Sequence, residues 1–216
     1  MAKKKQTVED QNLENVQEAL NTTSVWIEKN QNKLTWSITI IALVVTGVLA
    51  LNTYVIKPKA VEVSNENAKA VAYFMQGDWE KALNGDDAEC VGFQAIADEY
   101  KMYQGGKLAA LYAGVCYYQL GQYEDAAAYL NKFSANDLTI EPAALQLLGD
   151  AYVQMEDYSK AVKAFESVAK SGNDLIAPMS LKKAGLVYLE LGDKAAAKKA
   201  FEAIKADYPA SSEAQS

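Results

Sequence analysis

The side chains that most often perform catalysis or bind metals are scarce in this sequence. It contains no histidine and no arginine, so all 21 of its basic residues are lysine. Triads built on histidine, histidine-ligated metal sites and bidentate arginine contacts to phosphate are therefore excluded. The two cysteines, Cys90 and Cys116, lack the spacing of zinc ligands, and two thiols alone make a poor metal site. We expect both to be buried apolar side chains, and the sequence leaves open whether they form a disulfide.

The carboxylates offer no clearer chemistry. Residues 60–216 contain 14 Lys against 23 Asp and Glu, a net charge of −9, which should repel nucleic acid. The acids are spread over predicted solvent faces and turns, so no pair is clearly a general acid and base. We expect neither enzymatic activity nor a cofactor, with an enzyme centred on Asp86 or Cys90 as the alternative.

Residues 34–56 form the longest uncharged run in the chain, and 12 of them are Leu, Ile or Val. As a helix this run is about 34 Å long, enough to cross a hydrocarbon core of about 30 Å. Trp36 and Tyr54 lie near its two ends, where amphipathic rings favour the membrane interface. We predict a transmembrane helix. A buried core helix and a cleaved signal peptide are the alternatives, and the 33 polar residues that precede the run argue against the second.

Residues 1–33 form a polar segment with five lysines and five acids. Its apolar residues recur at roughly helical spacing, which predicts an amphipathic helix before the span; a solvated, frayed helix is the alternative. Lysine counts near the two ends of the span do not fix its orientation, although Lys3, Lys4 and Lys5 favour a cytoplasmic N-terminus. The apolar residues at this spacing are Val8, Leu13, Val16, Leu20 and Ile27.

Three segments beyond residue 105 resemble one another. Each has a Gly, a Tyr three residues later, an Ala twelve residues after the Gly, and a large apolar residue four positions further on. Each segment is predicted to be a pair of antiparallel helices, in which Gly and Ala face each other and the large residue fills the seam towards the next pair. The positions are Gly114, Tyr117, Ala126 and Leu130, then Gly149, Tyr152, Ala161 and Phe165, then Gly185, Tyr188, Ala197 and Phe201.

This order of residues, followed by Pro209, resembles the consensus of the tetratricopeptide repeat (TPR). The resemblance implies an all-α protein, with the N-terminal transmembrane helix followed by a TPR-like α-solenoid of antiparallel helix pairs. Three units are assigned to residues 105–209 and a C-terminal tail to residues 210–216. Pro142 and Pro178 fall near predicted helix starts, where a missing N–H costs little.

A linker and a degenerate first unit are predicted in residues 57–104. The sequence FQAIADEY at residues 93–100 resembles FEAIKADY at residues 201–208, and AYFMQGDWEKAL at residues 72–83 is typical of a helix, a turn and a second helix. The segment NGDDAECVG at residues 84–92 interrupts the pattern, so the second helix should be displaced or broken. Terminal repeats are often atypical because they cap the stack.

In TPR proteins the first helix of each pair lines a concave groove. Mapped from the glycines, this groove is mixed apolar and polar here, which suits extended or helical peptide segments; packing between neighbouring repeats is the alternative use of the same residues. The clamp of Lys and Asn that holds chaperone C-termini is absent, because other residue types occupy its places. The predicted groove residues are Leu111, Val115, Tyr118, Gln146, Asp150, Val153, Lys182, Leu186 and Leu189.

The whole arrangement resembles the YfgM-type ancillary subunits of the bacterial Sec translocon. The resemblance is carried by VQEAL and WIEKNQNKL before the span, one span, and about four TPR-like units ending in ADYP. It implies an inner-membrane protein with a cytoplasmic N-terminus and a periplasmic TPR domain. The implied partners are the SecYEG channel, a periplasmic chaperone and exported chains, with self-association left open. The alternative is a structural tether for another envelope complex, such as cell-division or secretion machinery.

Overall fold

The computed structural model describes residues 8–86, 89–135 and 137–215, which form two compact units, Met1–Pro58 and Lys59–Ser216. Lys3, Lys4 and Lys5 lie outside the described residues, as do two residues of the 84–92 segment. The first unit contains helix α1, Val8–Leu51, and a π-helical turn, Asn52–Ile56. Its apolar side chains are exposed over the predicted span.

The second unit is built from helices in the described part of the chain. Its short connections place consecutive helices side by side and antiparallel, as in a repeat stack. The helices are α2 (Lys57–Met75), α3 (Trp79–Asn84), α4 (Phe93–Glu99), α5 (Gln104–Gln119), α6 (Tyr123–Leu130), α7 (Ile140–Gln154), α8 (Tyr158–Ala169), α9 (Ala177–Glu190) and α10 (Lys194–Asp207), followed by a 3₁₀ turn, Glu213–Gln215.

Short turns separate the two helices of each pair. Gly121 and Gly192 have φ of +75° and +76°, a conformation in which a side chain is strained. Asp157 and Asp193 then begin the second helices, and each side chain accepts a backbone N–H three residues on, which satisfies a donor that the helix itself cannot. The all-α solenoid is thus confirmed, and the predicted domain boundaries stay predictions.

The glycines of the repeats lie against the large apolar residue of their own unit. A Cβ on Gly149 would lie 2.4 Å from the Phe165 ring, and one on Gly185 would lie 2.6 Å from the Phe201 ring. The ring therefore fills the space within the pair as well as the seam beyond it. Phe165 is completely buried and contacts Ala184 and Val187 of the next unit.

The first repeat has the predicted break in its second helix. Helix α3 ends at Asn84 and α4 begins at Phe93, with Gly85 and Gly92 at positive φ on either side of the insertion. Added side chains would collide there, since a Cβ on Gly85 would lie 2.1 Å from the Cys90 carbonyl oxygen. The described residues on the two sides of the insertion therefore lie against each other at the end of α3.

The repeat tyrosines of α7 and α9 are hydrogen-bonded to the element that precedes each helix in the stack. The Tyr188 hydroxyl donates to Glu166 of α8 at 2.7 Å, and the Tyr152 hydroxyl accepts from Asn131 after α6 at 3.0 Å. In the first repeat the Tyr73 hydroxyl donates to the Asp86 carboxylate of the insertion. This hydrogen bond is the main cause of the raised pKa of Tyr73. The insertion therefore supplies the polar partner that a preceding repeat supplies elsewhere.

Candidate protein-binding groove

The nine predicted groove residues lie on the first helices of the three C-terminal units. Three belong to α5, three to α7 and three to α9, at three- or four-residue spacings that place each trio along one helical face. Seven of the nine are half-buried. Leu186 and Leu189 of α9 are 51% and 47% exposed, so the apolar side chains of the groove are most open at its α9 end.

Part of this surface also packs the repeats together. Leu111 and Tyr118 contact the core of the first units, and Val153 contacts the cluster formed by α8 and α9. The Tyr118 ring meets the Tyr123 ring edge to face at 5.4 Å between centroids. For these side chains the packing role is established by their contacts, and a binding role stays a prediction.

The acid in the middle of the groove is paired with a lysine that sequence reasoning missed. Lys183 of α9 donates to both carboxylate oxygens of Asp150 on α7, at 2.8 and 2.6 Å. Burial and the negative charge of Asp150 both raise the pKa of Tyr118. The structure thus brings together Tyr118, Asp150 and Lys183 from three successive repeats.

Lys183 could have been found from the helical register of α9. It lies beside the predicted Lys182, and its ammonium is 5.8 Å from the centre of the Phe165 ring as well as bonded to Asp150. The two charged side chains are 30% and 27% exposed, so the pair is partly shielded from water. A ligand that enters the groove therefore meets a neutralised acid flanked by apolar side chains.

The thiols do not form a reactive centre. Cys90 and Cys116 are free and buried, as expected. Burial raises the pKa of Cys116 to about 12 and raises that of Cys90 as well, which disfavours the thiolate that nucleophilic chemistry requires. Within residues 8–86, 89–135 and 137–215, no group of three or more His, Cys, Asp or Glu is placed to hold a metal ion.

A polar depression lies beside the insertion, next to the candidate nucleophile Cys90. It has a volume of about 670 Å³ and is open to solvent. Its charged groups are already paired in part, since Lys69 bonds to Glu66 at 3.0 Å and Asp86 accepts from the Glu89 and Cys90 amides. Nothing in this arrangement resembles an activated nucleophile with its base.

Two tetratricopeptide repeat family models match the chain, over residues 108–137 and residues 147–212. These ranges cover the repeats that the Gly, Tyr, Ala and Phe pattern predicted. No curated protein matches the sequence.

Solved structures of TPR proteins share the fold. A structure described as the crystal structure of MamA protein superposes with a TM-score of 0.55 and 20% identity, covering 68% of this chain and 73% of that one. A second crystal structure of MamA gives a TM-score of 0.50 and 23% identity, covering 65% and 74%. At such identities the likeness concerns the fold alone.

Proposed function

We propose that this protein is a membrane-anchored scaffold whose groove, formed by α5, α7 and α9, binds segments of other proteins. The observation that carries the proposal is the open end of the groove, where Leu186 and Leu189 are about half exposed while the other predicted groove residues are half-buried. TPR proteins are generally scaffolds rather than enzymes, and the buried thiols and paired carboxylates give no reason to treat this chain differently.

The chemistry of the groove favours a ligand with apolar side chains at regular spacing. Apolar groups of α5, α7 and α9 alternate with Gln146 and with the Asp150–Lys183 pair, which offers both a donor and an acceptor edge. An amphipathic helix or an extended strand satisfies both requirements. A highly charged ligand would leave the apolar side chains uncovered.

Anchoring rests on α1 and the turn that follows it. In the described part of the chain one helical stretch, Leu20–Met75, is long and apolar enough to cross a membrane, with a mean hydropathy of 2.3 in its most apolar window. We propose residues 34–56 as the span, with the N-terminus in the cytoplasm and the repeats in the periplasm. Protease protection in intact spheroplasts tests this orientation, because only an external repeat domain is digested.

The partner proposal follows the resemblance to the ancillary Sec subunits. Under it, the groove contacts SecYEG, a periplasmic chaperone or exported chains as they leave the channel. The alternative is a tether that holds one folded envelope protein and has no role towards exported chains. The two functions differ in the number and folding state of the proteins that occupy the groove.

Photo-crosslinking from Tyr118, Gln146 and Lys182 in intact membranes tests the partner proposal. A photoreactive residue at Glu124 or Ser159, which are exposed on second helices, controls for random collisions. We expect channel subunits, a chaperone or many exported chains to be captured from the groove positions and not from the controls. A single unrelated envelope protein would replace the Sec proposal with the tether, and equal capture from groove and control positions would contradict a binding groove altogether.

A further inference from the structure

The last repeat leaves partly exposed the surface that α8 buries against the next repeat. In α8 Tyr158, Val162 and Phe165 pack in one cluster with residues of α9, and Phe165 is completely buried there. Ala169 lies four residues after Phe165 in the same helix. The same positions of α10, each 36 residues later, carry Lys194, Lys198, Phe201 and Lys205. Together with Leu189 and Ala197 they line a depression of about 360 Å³.

The described chain does not fold back over this surface. After α10 it turns at Tyr208, and residues 208–213 lie beside Asp174, Pro178 and Met179 at the start of α9. The depression lies further along the helix pair, from Lys194 to Lys205. Within the described residues, therefore, the segment after α10 does not line the depression.

The charge of this surface differs from that of the rest of the repeat domain. Residues 60–216 have a net charge of −9, yet three lysines and one acid surround Phe201. Glu202 pairs only distantly with Lys198, at 3.7 Å, and their side chains are 67% and 75% exposed. Polar residues that merely kept an end soluble would be expected to share the acidity of the domain, whereas a lysine rim around an aromatic ring selects an acidic partner.

We propose that the open face of α10 binds an amphipathic helix of another protein, with small apolar residues against Phe201 and acidic residues against Lys194, Lys198 and Lys205. Helix α9 shows the geometry, because it covers the equivalent face of α8 with Ala184, Val187 and Tyr188. This site shares Leu189 with the groove and does not depend on groove binding.

A second copy of the chain does not fit this face. Head-to-tail stacking would use the first helix of the first repeat, α2, whose Tyr73 is already bonded to the insertion. Lys69 lies four residues before Tyr73 in α2, just as Ala184 lies four residues before Tyr188 in α9. In such a stack Lys69 would therefore take the place of Ala184. It would bring a like charge to the lysine rim, which is unfavourable.

The probe for this site is a labelled peptide with the α9 sequence Ala177–Glu190, held helical by a hydrocarbon staple between positions 186 and 190. In the acidic version Lys182 and Lys183 are replaced by Glu, and the matched control peptide keeps both lysines. Binding is measured by fluorescence anisotropy to the full-length protein in detergent micelles. We expect the acidic peptide to bind about tenfold more tightly than the control, with the difference shrinking as salt is added.

Charge reversal at the rim locates the site. K198E combined with K205E should weaken the acidic peptide about tenfold, while K199E, an exposed lysine outside the depression, should leave it unchanged. Equal binding of the two peptides, or binding that survives the double reversal, would overturn the proposal. Sedimentation of the protein without peptide completes the test, because a dimer that the double reversal dissociates would show that a second copy covers the face.

Discussion

At the scale of single residues, the repeat depends on glycines that have no room for a methyl group. Three glycines lie against a ring or a branched side chain of the paired helix, namely Gly114, Gly149 and Gly185. A Cβ added to any of them would lie 2.4 to 2.6 Å from the nearest atom of that side chain. Gly occupies these helix interiors although it disfavours helix by about 1 kcal/mol relative to Ala. Close approach of the two helices therefore outweighs helix propensity at these positions.

The substitution Gly149→Ala tests this balance by its sign. We expect it to lower the free energy of unfolding by about 1 to 3 kcal/mol, because the new methyl group displaces the buried Phe165 ring. If helix propensity dominated, the same change would stabilise the protein by up to about 1 kcal/mol. Urea denaturation followed by circular dichroism measures the difference, and the exposed substitution Gln154→Ala controls for propensity alone.

At the scale of helices, capping by aspartate defines where the second helix of a pair begins. Asp78, Asp157 and Asp193 each accept an N–H from the residue three positions on. The equivalent position before α6 holds Gln122, whose side chain makes no such bond. The chain therefore contains its own comparison between a capped and an uncapped helix.

We expect Asp193→Ala to lower the free energy of unfolding by about 1 kcal/mol, because the Ala196 amide loses its acceptor. Asp193→Asn keeps the acceptor and should recover most of the loss. Gln122→Ala serves as the matched control and should have little effect. Thermal unfolding of the three variants measures these differences, and a Gln122 loss as large as the Asp193 loss would contradict the capping role.

Acid should weaken the start of α8. The hydrogen bond and charge of Lys160 lower the pKa of Asp157 below its ordinary value of 3.8. A carboxyl whose folded-state pKa is lowered stabilises the fold above its unfolded pKa and loses that contribution as pH falls. We expect thermal stability to fall as the pH drops below about 4, and Asp157→Asn to make that fall shallower. If Asp157→Asn and the unsubstituted protein lost thermal stability equally as the pH fell, Asp157 would make no contribution to the acid sensitivity.

At the scale of the whole repeat domain, the first and last repeats differ in what packs against their outer helices. The first repeat uses its insertion, through the bond between Tyr73 and Asp86, in place of a preceding helix. The last repeat leaves Phe201 half-buried beside a lysine rim. A partly exposed aromatic side chain at the end of a repeat stack can bind another protein.

Tyr73→Phe should loosen the first repeat alone. We expect faster amide hydrogen exchange in α2 and α3 with unchanged exchange in α9, because the hydroxyl joins α2 to the insertion. Tyr188→Phe is the matched variant, since its hydroxyl bonds to Glu166, and it should act on α8 and α9 instead. Equal effects of the two variants on both ends would contradict the capping role of the insertion.

The sequence by itself determined the helical repeats, the candidate span and the lack of histidine and arginine chemistry. These properties follow from local periodicity and composition, because a Gly, Tyr, Ala and Phe pattern recurring every 35 or 36 residues has only one compact solution, a stack of helix pairs. The same pattern marked the insertion as an interruption. It also placed nine residues on the first helices of the repeats.

Only the tertiary structure decided how distant residues pair. Asp150 and Lys183 are 33 residues apart, and Tyr73 bonds to a loop whose course no periodicity describes. Which large side chain meets each glycine likewise depended on how the two helices turn against each other. Such contacts arise from the rotation and spacing of packed helices, which a one-dimensional pattern leaves free and close packing fixes.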